Sequence, residues 1–108
     1  MSKKKQQNPS LGEIKPCFPI IPGFSRQLKG DLRYWFKTDQ KKAAKILDLV
    51  TEVMKNPFQG IGKPEALKYM EGNIWSRRID LEHRLVYRIS ETQIDFLACR
   101  FHYDNLKQ

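Results

Sequence analysis

Three alternating runs crowded into the last third of the chain, residues 74–79, 83–89 and 93–102, constrain the fold more than any other feature. Only Asp80, Leu81 and Glu82, then Ser90, Glu91 and Thr92, separate them. Polar links this short cannot carry a crossover, so consecutive runs must return as antiparallel hairpins. In the first run Trp75, Arg77 and Ile79 share one face, and Ile74, Ser76 and Arg78 the other. In the second, His83, Leu85, Tyr87 and Ile89 alternate with Arg84, Val86 and Arg88. In the third, Asp95, Leu97, Cys99, Phe101 and Tyr103 oppose Ile94, Phe96, Ala98, Arg100 and His102. Such a sheet needs cover on one face and leaves the other partly open for chemistry.

The cover lies upstream. Leu28, Leu32 and Trp35 fall on one helical face with Ser25 placed to cap it, and Gly30 weakens that helix without ending it. After a turn at Thr38 and Asp39, Ala43, Ile46, Leu47, Val50, Val53 and Met54 form an apolar stripe, with Lys41, Lys42, Lys45, Asp48 and Glu52 facing elsewhere. Asn56 and Pro57 stop the second helix, because a residue before proline avoids the helical region. The expected class is α+β, a helical hairpin packed on an antiparallel-rich twisted sheet. Tyr34, Trp35 and Phe36 are expected to pack in the core and hairpin, while Trp75 and Tyr87 fit either packing or stacking.

The start of the chain is less regular. Residues 1–12 read as a disordered basic tail, and residues 13–23 as an irregular extended arm or a broken edge strand, since Pro16, Pro19 and Pro22 cannot donate to a ladder. With 108 residues, the chain holds one modest core. Its net charge of +8 predicts attraction to a polyanion: nucleic acid, an anionic membrane surface or an acidic protein. Cys17 and Cys99 stand far apart without metal-ligand spacing, which fits two reduced thiols in a cytosolic protein. No stretch is long and apolar enough to span a bilayer, and the Lys3, Lys4, Lys5 start is not followed by the apolar core of a secretion signal.

Metal-free phosphodiester cleavage needs a base, an acid and fixed positive charge around the phosphorus. Glu65, in a loop bounded by Gly60, Gly62 and Pro64 and flanked by Lys63 and Lys68, is a candidate base, although from composition alone a solvated loop glutamate is the plainer reading. His102, a residue type that titrates near neutrality, ends the third run beside Tyr103, so it suits an acid, and an exposed histidine fits the position equally. His83 reads as structural or exposed. Arg78, Arg84, Arg88 and Arg100 offer guanidinium forks that match phosphate, or that pair with Glu82, Glu91 and Asp95.

The segments containing these residues resemble a known family. Tyr34-Trp35 before Thr38-Asp39, the stretch from Asn56-Pro57-Phe58 through Gly62-Lys63-Pro64-Glu65-Ala66-Leu67-Lys68, Trp75-Ser76-Arg77-Arg78-Ile79, Glu82-His83-Arg84-Leu85-Val86-Tyr87 and Ala98-Cys99-Arg100-Phe101-His102-Tyr103 are similar to the YoeB/Txe toxins of bacterial toxin–antitoxin modules, within the RelE superfamily. The likeness runs over residues 24–103, which it implies form a RelE-like toxin domain. It implies a ribosome-dependent endoribonuclease that cuts mRNA in the decoding site. Glu65 would be the general base and His102 the general acid. Arg84, with Lys68, would stabilise the phosphorane, and Tyr103 would orient or protonate the leaving group. Lys63 and Arg78 would join Lys68 in contacting RNA or phosphate. Attack by the ribose 2′-oxygen would leave a 2′,3′-cyclic phosphate and a 5′-hydroxyl, without metal or cofactor.

The implied partners are an acidic YefM/Axe-like antitoxin, the ribosome and mRNA, with a homodimer also allowed and no membrane. Two departures stand out: residues 104–108 extend past the His-Tyr pair, and Pro19, Pro22 and Gly23 interrupt the first strand. Two rivals remain, a turnover-deficient binding module of the same fold and a gyrase-poisoning toxin of the same superfamily.

Overall fold

The computed structural model describes residues 20–101. The basic tail, residues 13–19 of the extended arm with Cys17, the catalytic candidates His102 and Tyr103, and the 104–108 extension lie outside the described residues. Strand β1 (Ile21–Phe24) leads into helices α1 (Arg26–Thr38) and α2 (Gln40–Lys55). Strands β2 (Glu65–Ala66), β3 (Ile74–Arg78), β4 (Arg84–Ile89) and β5 (Gln93–Ala98) follow. They form one five-stranded sheet in the order β1-β5-β4-β3-β2. All pairs are antiparallel except β1 with β5. Pro22 sits on β1, an edge strand, where a missing N–H costs no central ladder bond. Among the described residues no helix is long and apolar enough to cross a membrane.

Both helices start as their sequences dictate. Ser25 Oγ accepts the Leu28 N–H at 3.0 Å and donates to the Leu97 carbonyl, tying the cap of α1 to β5. Asp39 is the whole connection between the helices: its N–H closes α1 on the Trp35 carbonyl while its Oδ1 accepts the Lys42 N–H that opens α2. A one-residue joint folds α1 and α2 into a hairpin. Asn56 ends α2, and its side-chain oxygen accepts the N–H groups of Phe58 and Gln59 to start the next loop.

The core lies between the hairpin and one face of the sheet. Leu28, Trp35, Ala43, Ile46, Leu49 and Val53 descend from the helices onto Ile79, Leu85, Tyr87, Ile94, Phe96 and Cys99. Truncating any one of the large aliphatics there would cost about 2–5 kcal/mol. Three expectations about side chains need correction. Leu47 is exposed while Leu49 is buried, because the surface of α2 facing the sheet runs through 43, 46, 49 and 53. Tyr34 and Phe36 flank Trp35 on α1 but point outward, so Trp35 alone enters the core. Strict alternation also fails in the third run. Val86 pairs with Ala98 and Tyr87 with Phe96, which leaves Leu97 as an extra residue in β5. This bulge shifts the phase, so Ile94, Phe96 and Cys99 all reach the helix side despite their unequal spacing. The strand then ends at Ala98, not at residue 102.

Candidate active-site face

The sheet's second face is partly open, and strand register determines what it displays. Glu65, expected in a loop, pairs as part of β2 opposite Ser76. Ser76 pairs with Val86, which pairs with Ala98. Two pairs further along, back on the same face, Arg78 lies directly opposite Arg84. Directly opposed residues share a face, so the exposed carboxylate of Glu65 and the guanidinium groups of Arg78 and Arg84 occupy neighbouring positions on it. The far end of this face is closed by a small apolar cluster of Leu67, Ile74 and Val86 with Met70 and Leu97.

Two arginines facing each other across a ladder repel, which disfavours the pair unless an anion sits between them. Arg84 is nonetheless held in place. Its Nη1 donates to the carbonyl oxygens of Asp80 at 3.0 Å and His83 at 3.3 Å. Among the described residues nothing accepts from its Nε or Nη2, and no carboxylate pairs with Arg84 or Arg78. The side-on edge of Arg84 is thus fixed in position and available, as bidentate phosphate contact requires. The other two candidate arginines are committed elsewhere. Arg88 pairs with Asp95 at 3.3 Å, and Arg100 lies 3.5 Å over the ring of Tyr34.

The Asp80 turn that anchors Arg84 is itself braced. Asp80 Oδ1 accepts the N–H groups of Glu82 and His83, and Oδ2 pairs with Lys42 of α2. Burial pushes the Asp80 carboxyl up, but the Lys42 hydrogen bond and the two backbone donors outweigh it and hold the pKa down at about 2. The charge therefore remains in place at neutral pH.

The loop carrying Lys63 and Glu65 is built around Arg77, a residue the sequence reading did not single out. Arg77 is fully buried, with no carboxylate partner among the described residues. Its Nη1 donates to the Ile61 carbonyl (3.1 Å), its Nη2 to those of Gln59 (3.0 Å) and Asn56, and its Nε to Tyr87 Oη (3.2 Å). Tyr87 in turn donates to the Pro57 carbonyl at 2.8 Å. Burial raises the Tyr87 phenol above its ordinary value, so it stays a donor. The loop closes onto β3 where Arg78 N–H meets the Gly62 carbonyl at 2.6 Å.

Lys63 and Arg78 also line a cleft of about 470 Å3 between this loop, α2 and the β3–β4 turn. Lys45 and Leu49 of α2, Ile61, Ile79, Asp80 and Leu81 are among its other lining residues. Lys68 is exposed in the turn after β2. His83 is buried and structural: its Nδ1 accepts the Phe101 N–H at 2.6 Å and its ring packs edge-on against Trp35. Arg84 N–H donates to the Phe101 carbonyl at 3.1 Å, so the last described residue is tied to the arginine's own backbone.

Comparison with known proteins agrees with this fold. Residues 24–103 match the family of YoeB-like toxins of bacterial type II toxin–antitoxin systems. The chain is 47% identical over 73 residues to the toxin YoeB of Mycobacterium bovis, covering 68% of this chain and 86% of that one. Among solved structures, the YoeB/ParE toxin from Agrobacterium tumefaciens superposes with a TM-score of 0.71 at 41% identity, over 78% of this chain and all of that one. The toxin of a heterotetrameric YoeB–YefM toxin–antitoxin complex from Staphylococcus aureus superposes with a TM-score of 0.64 at 36% identity, covering 78% of this chain and 98% of that one. With the family match running through both the helical hairpin and the Glu65, Arg78 and Arg84 face, the chain belongs to the YoeB-like toxins of bacterial type II toxin–antitoxin systems.

Proposed function

We propose that the protein is a ribosome-dependent mRNA endoribonuclease, restrained in its cell by an acidic antitoxin. The observation that carries this reading is the shared face of Glu65, Arg78 and Arg84, with Arg84 anchored by carbonyls and its phosphate-matching edge unoccupied among the described residues. Glu65 takes the proton of a ribose 2′-hydroxyl. The 2′-oxygen attacks the adjacent phosphorus, Arg84 holds the growing negative charge with Lys68 in support, and the bond to the 5′-oxygen breaks. His102, which follows Phe101 directly in the chain, gives its proton to that oxygen, and Tyr103 assists the departure. Lys63 and Arg78 hold flanking phosphates. Aligning a flexible strand for in-line attack is worth many orders of magnitude, and the decoding site supplies that alignment.

The antitoxin reading is supported by the Staphylococcus aureus complex and by the net charge of +8. An acidic segment would compete with mRNA phosphates for the same cations.

Primer extension on mRNA under translation, beside the same RNA without ribosomes, tests the proposal. Cleavage of ribosome-bound message with feeble cutting of free RNA is expected, and Arg84→Ala or His102→Ala should each slow single-turnover cleavage by roughly a hundredfold. Equal rates on both substrates would remove the ribosome from the mechanism. An intact message with a bound ribosome would instead leave a binding module.

A further inference from the structure

We infer that Asp31, Trp35 and His83 are positioning residues that clamp the chain at Cys99 and Phe101, the residues that lead into the proposed acid, an inference resting on the nuclease reading above. After Ala98 the sheet ladder ends, and side chains take over its hydrogen bonds. Asp31 Oδ2 accepts the Cys99 N–H at 3.0 Å, and Trp35 Nε1 donates to the Cys99 carbonyl at 2.8 Å. Two residues on, His83 Nδ1 accepts the Phe101 N–H, and Arg84 N–H holds the Phe101 carbonyl. Between them the Arg100 guanidinium is stacked against Tyr34 at 3.5 Å and Phe101 at 4.6 Å.

Three of these groups come from α1, one from His83 just before β4 and one from Arg84 at its start, so the segment is gripped from both layers of the fold. Phe101 also takes φ +65°, a left-handed conformation that a bulky residue adopts only when its surroundings impose it. The clamp therefore holds the backbone of Phe101 beside that of Arg84.

The chemistry at each contact is specific. With His83 Nδ1 accepting, the ring's proton sits on Nε2, 3.7 Å from Glu82 Oε1. An asparagine side-chain oxygen can replace that acceptor, and a phenylalanine ring can replace only the packing against Trp35. Asparagine at position 31 likewise keeps an acceptor for Cys99, whereas alanine removes it.

The test is single-turnover cleavage of ribosome-bound mRNA by wild type, His83→Phe, His83→Asn, Asp31→Ala and Asp31→Asn. Ribosome affinity and thermal midpoint are measured on the same samples. His83→Phe and Asp31→Ala should lose about a hundredfold in rate, the scale of an ångström-sized misplacement, with ribosome affinity unchanged. His83→Asn and Asp31→Asn should recover most of that loss. Peptide-level hydrogen exchange should rise at residues 99–101 in the two slow variants and stay constant across β3 and β4. Should His83→Phe fail to fold, the Asp31 pair carries the same comparison. Wild-type rates in both acceptor-less variants would overturn the inference while leaving the nuclease reading intact. Absence of cleavage by the wild type would overturn both.

Discussion

Replacing Arg77 with methionine keeps most of the side chain's length and removes every donor. Three main-chain carbonyls (Asn56, Gln59 and Ile61) and the Tyr87 hydroxyl lose their partner together. A buried acceptor left unpaired costs about 1–3 kcal/mol, so three carbonyls held in place would cost roughly 3–9 kcal/mol. The loop need not stay in place, since Gln59 and Gly60 are already at the surface and can turn toward water. What then limits the loss is the remaining docking of the loop: the Tyr87–Pro57 hydrogen bond, the Arg78–Gly62 hydrogen bond and the edge contact of Phe58 with Trp75 at 5.2 Å. At about 1 kcal/mol each, these set the expected destabilisation near 3 kcal/mol. In a domain of this size that lowers the thermal midpoint by about 12–24 °C. Urea titration gives the free energy, and hydrogen exchange across residues 56–64 reports whether the loop has lifted. Tyr87→Phe should add little once Arg77 is gone, because both act through one network. A loss below about 1 kcal/mol, with residues 56–64 as protected as in wild type, would refute the view that Arg77 organises this loop.

Other consequences are separately measurable. Gly62 has φ +86°, and a Cβ there would stand 3.1 Å from both Arg77 Cβ and Leu49 Cδ2, so Gly62→Ala should cost about 1–3 kcal/mol by denaturant titration and slow cleavage by shifting Glu65. Asp80 has its carboxyl lowered from 3.8 to about 2, so its ion pair stabilises the fold fully above about pH 4 and is lost as pH falls toward 2. With partial exposure screening the pair, Lys42→Met should remove about 1 kcal/mol at neutral pH and flatten the acid-unfolding profile in that window. Burial, with the Asp31 charge beside it, pushes the Cys99 thiol up to about 12, so peptide-mapped alkylation at pH 8 should leave Cys99 unmodified until the protein is denatured.

Legibility in the sequence followed locality. The caps at Ser25 and Asp39, the stop at Asn56 and Pro57, and the β3–β4–β5 meander depend on neighbours in the chain, and the structure has them where the sequence places them. The Leu97 bulge depends on how β5 accommodates β4 and also β1, so period-two counting carried the wrong phase beyond it. Leu47 and Leu49 both fit a helical apolar stripe, and only the position of the sheet chooses between them. Within the candidate site, Glu65, Arg78 and Arg84 were legible from motif and come together through register. Arg88 and Arg100 carried the same chemical promise, and their partners Asp95 and Tyr34 withdraw them. Arg77 left one signal that went unused: a charged residue in the core-facing phase, between Trp75 and Ile79, must find buried acceptors. His102 and Tyr103 lie outside the described residues and remain expectations from the motif.

The parallel seam between β1 and β5 has a consequence for how the protein is made. β1 is the first described element to leave a translating ribosome, and β5 is the last described strand, yet they are neighbours in the sheet. The Ser25 hydroxyl meets the Leu97 carbonyl across 72 positions of chain. Contacts this distant in sequence carry a large closure entropy and form late. The helical hairpin can assemble early, but Ile94 and Phe96 of β5 supply a central part of the surface it must cover. A nascent chain lacking β5 therefore has no completed core on which β2, β3 and β4 can settle. Chains truncated before β5 should stay protease-sensitive, whereas the full chain should resist digestion once β5 has emerged.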